Sequence, residues 1–411
     1  ESTGSDVPRG GAVMQIGGNL DASESRFIGN SAEFGGAIGA QVATGDFRDC
    51  QFEANTAVAG GGAIHSSFLS DVVISGSVFS HNHAGSALNS NSGGAIDNAG
   101  SSSQLTVINS RFIANSAPGG GAINNFNASK ANIVNSTFIA NGATFGGAIR
   151  SGGSGAVVNL ISSTVSGNTA FRGAGLSNAE QSSGTLNILD SQIDGNDATS
   201  DGGGVFSAAT LNISNSLVDD NSGHDGGGIA VGSAGNQVVT IEYSTLSNNR
   251  ARFSGGGLYF EENPTQFPND LDILGSTFNG NKAGEGGGLF AEVVDVSISA
   301  STFVDNSATQ VGLGGGGGVH VRSFIVTGSL VDIKNSTFSG NNASQDGGGI
   351  YLNGSALDAL ISSTTISGNT ADSANGGDGL HSLVATSRVE ARDLILVGNG
   401  DRNCLQTDTF G

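Results

Sequence analysis

A chain of 411 residues with 36 acidic and 15 basic side chains carries a formal charge of −21, which repels phosphate backbones and anionic bilayers at long range and excludes nucleic acid as the expected partner. No apolar run reaches the roughly 18 residues of a membrane-spanning helix, so no direct membrane span of that kind is expected. With 69 glycines, and with short Val/Ile/Leu/Phe runs that alternate with polar residues, the composition argues for strands and against long helices.

The chain opens partway through a repeat, since Gly10-Gly11-Ala12-Val13 has no Phe-x-x-Asn before it, which implies that upstream residues were cleaved or omitted. From there one unit recurs: an aliphatic or Phe position, an Asn three residues later, then a glycine run closed by an aliphatic residue. Its Asn positions are Asn30, Asn55, Asn82, Asn115, Asn141, Asn168, Asn196, Asn221, Asn249, Asn281, Asn306, Asn341, Asn369 and Asn399. The steps run from 25 residues (Asn30 to Asn55) to 35 (Asn306 to Asn341), a period that overrides a multi-domain prior and predicts one continuous repeat array over residues 1–411.

Within a copy, Leu105 and Val107 alternate inward, Ile108-Asn109 bend the chain, and Ser110 and Phe112 resume the inward register. The Asn falls where a turn needs a left-handed residue or a side-chain bond to backbone, and its repetition stacks Asn over Asn. The glycine run marks positive φ or close approach to a neighbouring coil, and the aliphatic after it starts a third strand. Three strands per coil, each pairing with its equivalent one coil on, predict an all-β, single-stranded right-handed parallel β-helix (solenoid) of about fourteen coils. Gly-Gly-Ala-Ile copies fill the first half and Gly-Gly-Gly copies most of the second, a switch with no evident cause in the sequence beyond closer packing.

Phe27 to Asn30 with Gly35-Gly36-Ala37-Ile38, Phe52 to Asn55 with Gly61-Gly62-Ala63-Ile64, and Phe112 to Asn115 with Gly120-Gly121-Ala122-Ile123 resemble the repeat of the polymorphic outer membrane protein family. The resemblance covers nearly the whole chain and extends to the wider class of secreted β-helical repeat proteins. It implies an autotransporter-passenger-like adhesin, extracellular or on the cell surface, and brings no catalytic residues with it. The expected partners are a host or matrix surface, protein or glycan, and a second copy joined end to end into filaments.

Residues 259–270 lengthen one step and read as a projecting insertion, with Tyr259, Phe260, Glu261, Glu262 and Phe267 as the candidate binding loop. The densest acidic stretch places Asp197, Asp201, Asp219, Asp220 and Asp225 over two coils, an oxygen-rich set suited to calcium as the one cofactor to expect. Such carboxylates also keep open the alternative of a polysaccharide lyase or hydrolase, because β-helices carry those activities too. Against it, no Arg or Lys lies between Arg172 and Arg250. His65, His81 and His83 are the one histidine grouping, while His224, His320 and His381 read as isolated. Recurring Ser-Thr dipeptides such as Ser276-Thr277 and Ser336-Thr337 suggest a hydroxyl ladder facing water, and Cys50 reads as a buried free thiol. The expected role is non-enzymatic: structural or adhesive.

Overall fold

The computed structural model describes residues 10–68, 70–85, 92–179, 184–232, 237–261, 270–292, 295–310, 315–323, 329–354, 357–373, 376–384 and 388–406, which form strands and turns without a helix. They fall into two units, Glu1–Gln192 and Ile193–Gly411, built on one plan. Among the described residues every coil but the last has four strands rather than the three expected. In the first unit one coil runs Ile123–Phe126, Lys130–Val134, Thr137–Ile139 and Gly142–Phe145; in the second, Leu289–Glu292, Asp295–Ser299, Thr302–Val304 and Ser307–Ala308. Every strand pairs in parallel with its equivalents in neighbouring coils, giving a β-solenoid with four parallel sheets. The extra strand follows the Asn and is often two residues long, as in Thr56–Ala57, so it shows no alternation to read; its Ala still points inward, and Ala57, Ala84 and Ala117 pack together.

Besides the entry to the glycine run, two corners per coil take left-handed backbone, and neither uses the repeat Asn. The first falls after the long strand, at Asp49, Asn109, Asn135, Asn215 or Tyr243; the second immediately precedes the Asn, at Ala54, Ala114, Asp220, Asn248 or Asp305. The Asn itself turns inward and, from Asn55 on, is buried. Asn55 donates through Nδ2 to Phe27 O (2.8 Å) and to Asn82 Oδ1 (2.9 Å), and its own Oδ1 accepts from the Asn30 backbone N (3.0 Å) and Nδ2 (2.8 Å). The same four bonds recur in the second unit around Asn221, Asn249, Asn281, Asn306 and Asn341, where Asn403 ends the ladder beneath Asn399. A buried amide with all its donors and acceptors used holds a corner that a hydroxyl could only half satisfy.

Beside it runs the phenylalanine column. Phe27, Phe52, Phe79, Phe112 and Phe138 stack at 4.5–4.8 Å between ring centroids in the first unit, and Phe278, Phe303 and Phe338 at 4.5–5.0 Å in the second. The Ser of the dipeptides at Ser136, Ser163, Ser276, Ser301 and Ser336 also faces in. Ser276 Oγ donates to Leu274 O and accepts from Ser244 N, so this ladder is internal and only the Thr side faces outward. Cys50 takes a place in the same column, buried and unpaired, with its backbone N bonded to Ser77 Oγ.

The change from Gly-Gly-Ala to Gly-Gly-Gly alters how amides are shared. In the first unit Ala37 N and Ile38 N both donate to Ala63 O, and Ala122 N and Ile123 N both to Ala148 O, so two donors crowd one acceptor. In the second, Gly227, Gly228 and Ile229 donate one each to Gly255, Gly256 and Gly257. Gly204 with Val205 and Gly257 with Leu258 still share an acceptor in that unit, Gly228 O and Gly288 O. In either arrangement the third glycine lies close against the next coil: a Cβ on Gly257 would lie 2.6 Å from Gly288 O and 3.3 Å from Asn281 Cγ.

Candidate functional sites

The strand after each glycine run has one column of side chains that points away from the core and is nevertheless mostly covered. In the second unit it comprises Phe206, Ala230, Tyr259, Phe290, His320, Tyr351 and His381, in register from coil to coil. The residues that lead into the glycine runs lie against it. Glu285 Oε2 is 3.6 Å from His320 Nδ1, Asp346 Oδ1 is 3.4 Å from His381 Nδ1, and a Cβ on Gly315 would come within 2.2 Å of the Tyr351 ring. Arg322 closes the group, paired with Glu292 and stacked over Phe290 at 5.0 Å.

Burial governs the charges here. His320 is 2% exposed, neither ring nitrogen has a hydrogen-bond partner, and burial pushes its pKa down to about 3. Burial likewise raises the Glu285 carboxyl, against the pull of Arg322, while His381 holds Asp346 below its ordinary value. Burial pushes the Tyr351 phenol up to about 12. A histidine kept neutral in the fold but free to protonate once unfolded makes the unfolded state the better proton acceptor below pH 6.5, so stability falls with pH from there down to about 3. At pH 5 the His320 share of that loss should be about 2 kcal/mol. His320→Phe, which matches its neighbour Phe290, should remove the share; urea denaturation at pH 7 and pH 5 measures it, and Glu285 works in the opposite sense because its folded pKa is raised.

The five candidate calcium ligands do not converge. Asp197, exposed in Asp197–Ala198, accepts from Ser222 Oγ. Asp219 accepts from Ser247 Oγ (2.6 Å) and Asn248 Nδ2 (2.9 Å), and Asp220 forms a left-handed corner. Together these two help burial to raise the Asp194 carboxyl. Asp201 and Asp225 instead precede successive glycine runs, and His224 joins them: one ligand atom from each of the three lies within 4.8 Å of the others. Sequence reading left His224 isolated, although placing the two glycine runs in register would have set Asp201 under Asp225 with His224 beside it. Of the other histidine grouping, His65 is buried against Asp97 (2.9 Å), His81 forms a left-handed corner, and His83 meets Ser116 Oγ.

The candidate binding loop is corrected in part. Tyr259 and Phe260 belong to strand Leu258–Phe260, where Tyr259 stacks on Phe290 at 5.7 Å and Phe260 is wholly buried, because inward and outward alternation continues through them. Neither projects. Glu261 follows the strand, while Glu262 and Phe267 lie outside the described residues.

The Chlamydia polymorphic membrane protein (Chlamydia_PMP) repeat model matches residues 49–67 and 335–353. The first stretch contains Phe52, Asn55 and Gly61-Gly62-Ala63-Ile64 in the first unit, and the second contains Phe338, Asn341 and Gly347-Gly348-Gly349-Ile350 in the second. No curated protein and no solved structure matched the chain.

Proposed function

We propose that this chain, which carries polymorphic-membrane-protein repeats in both of its units, is a surface-displayed β-solenoid that works by contact, as an adhesin or a structural surface layer, rather than by catalysis. The observation that carries this reading is the in-phase recurrence of the matched repeat: its Asn and Phe ladders are spent on holding coils in register, and the fold presents outward columns of side chains at the inter-strand spacing of about 4.8 Å. Repeated, weakly binding columns of this kind gain avidity against a repeated surface such as a glycan or matrix polymer. Beads coated with the chain should be retained on host-cell monolayers or on matrix and glycan arrays in a saturable way, and soluble chain should compete them off. Retention no greater than that of beads bearing an unrelated β-solenoid would overturn adhesion, and cleavage of acidic or neutral polysaccharides, with or without calcium, would replace it by the lyase or hydrolase alternative.

Self-association through strand edges is the second part of the proposal, since the last strand of any parallel stack keeps unused donors and acceptors. Light scattering over a hundredfold concentration range should show mass growing with concentration; a constant monomer mass would remove it.

A further inference from the structure

Asp201 and Asp225 each stand immediately before a glycine run, on adjacent coils. Gly202 N donates to Asp225 O (2.9 Å) and His224 N to Ser200 O (2.7 Å), so the backbone ladder itself sets the three side chains side by side. Gly202 and Gly226 carry φ of 69° and 62°, the left-handed turn that lets the chain enter the run directly after each acid. The side chains are also held. Asp225 Oδ1 accepts from Ser254 N on the following coil (2.8 Å), its Oδ2 lies 2.8 Å from His224 Nδ1, and the imidazole packs on Phe253 with 4.3 Å between centroids. All three residues are half-buried, so the group is covered on one side and open on the other.

The donor set is one imidazole and two carboxylates. Calcium takes six to eight oxygens and has no preference for nitrogen, whereas zinc and its neighbours bind His and Asp together with four or five ligands. We propose that Asp201, His224 and Asp225 form a site for one divalent transition-metal ion, zinc in the first instance, with the remaining position left to water or to an oxygen of a bound partner. This revises the calcium expectation in both ion and ligands, and it stands whether or not the chain is an adhesin. A metal held by two successive coils cross-links them, so it binds the folded array and not the unfolded chain, and stability should rise with its concentration.

The test uses the full chain, stripped of metal with a chelator and dialysed. Zinc titrated by calorimetry should bind with one-to-one stoichiometry at this site, cobalt(II) should give a visible spectrum of four or five ligands including nitrogen, and the melting temperature should rise with added zinc. His224→Ala and Asp201→Asn should each weaken zinc binding at least tenfold and abolish the rise, while His81→Ala/His83→Ala should leave both unchanged. Circular dichroism of the metal-free variants shows that the fold is intact. Zinc affinity and melting shift unaltered in His224→Ala, or binding of calcium in preference to zinc, would overturn the proposal.

Discussion

Gly227→Ala should destabilise the second unit by about 4 kcal/mol or more, enough to abolish its cooperative unfolding, although the substitution adds a single carbon. The Cβ would lie 2.4 Å from Arg250 C and 2.5 Å from Arg250 N and O, all backbone atoms of the next coil. Nothing there can rotate aside. Arg250 N is already committed to Asn221 O (2.8 Å) and Gly227 N to Gly255 O (3.1 Å), so making room means breaking ladder bonds on both sides. Gly195→Ala is the control. Its φ of 60° strains any other residue, but its Cβ meets nothing within 4 Å, and it should cost only about 1 kcal/mol. Urea denaturation of both variants decides the matter: equal losses would mean that close approach between coils is not what the glycine run is for.

Asn281→Ala should cost about 3–5 kcal/mol, from four hydrogen bonds lost at one wholly buried corner. The side chain accepts from Asn249 N (3.1 Å) and Nδ2 (3.0 Å) and donates to Leu246 O and Asn306 Oδ1 (both 2.9 Å). Truncation orphans donors and acceptors on the coils before and after, where no water reaches them. Asn281→Asp discriminates geometry from mere polarity: it keeps the two accepted bonds but sets a carboxylate oxygen against Leu246 O and Asn306 Oδ1, so it should be no better than Ala at neutral pH and partly recover in acid as the carboxyl gains a proton to donate. Asn279→Ala, at an exposed position two residues earlier that ends strand Thr277–Asn279, should fall within about 0.5 kcal/mol of wild type. Comparable midpoints for Asn281→Ala and Asn279→Ala in guanidinium would show the ladder to be dispensable.

Residues that recur with the coil were legible because repetition turns a weak local preference into a column: Phe112 over Phe79 and Asn115 over Asn82 follow from alignment alone. The role of the Asn was only half legible. Positive φ and a buried amide are both turn chemistry, and it took the structure to assign the first to Ala54 or Asp220 and the second to the Asn beside it. The fourth strand escaped because Ser-Ala or Thr-Ala is too short to alternate. Tyr259 and Phe260 were misread as loop because the lengthened step begins only after them, and alternation through Leu258–Phe260 was the signal that could have corrected it. The Asp201, His224 and Asp225 group was hidden for a different reason: its members are 23 and 24 positions apart or adjacent, and only the register between glycine runs says which of those separations means contact.

The asparagine column has a direction. Each side-chain carbonyl receives from the Asn of the coil before, each side-chain amino group gives one hydrogen to the Asn of the coil after and the other to a backbone carbonyl of the coil before, and every member answers only to its two neighbouring coils. Whole rungs are therefore interchangeable parts: excising the segment from one Asn to just before the next rejoins like with like, and duplicating it inserts a coil whose every donor already has a counterpart waiting. Genes encoding such chains can lengthen or shorten by unequal recombination without passing through a misfolded form, so the number of coils is free to drift while the plan of each coil stays fixed.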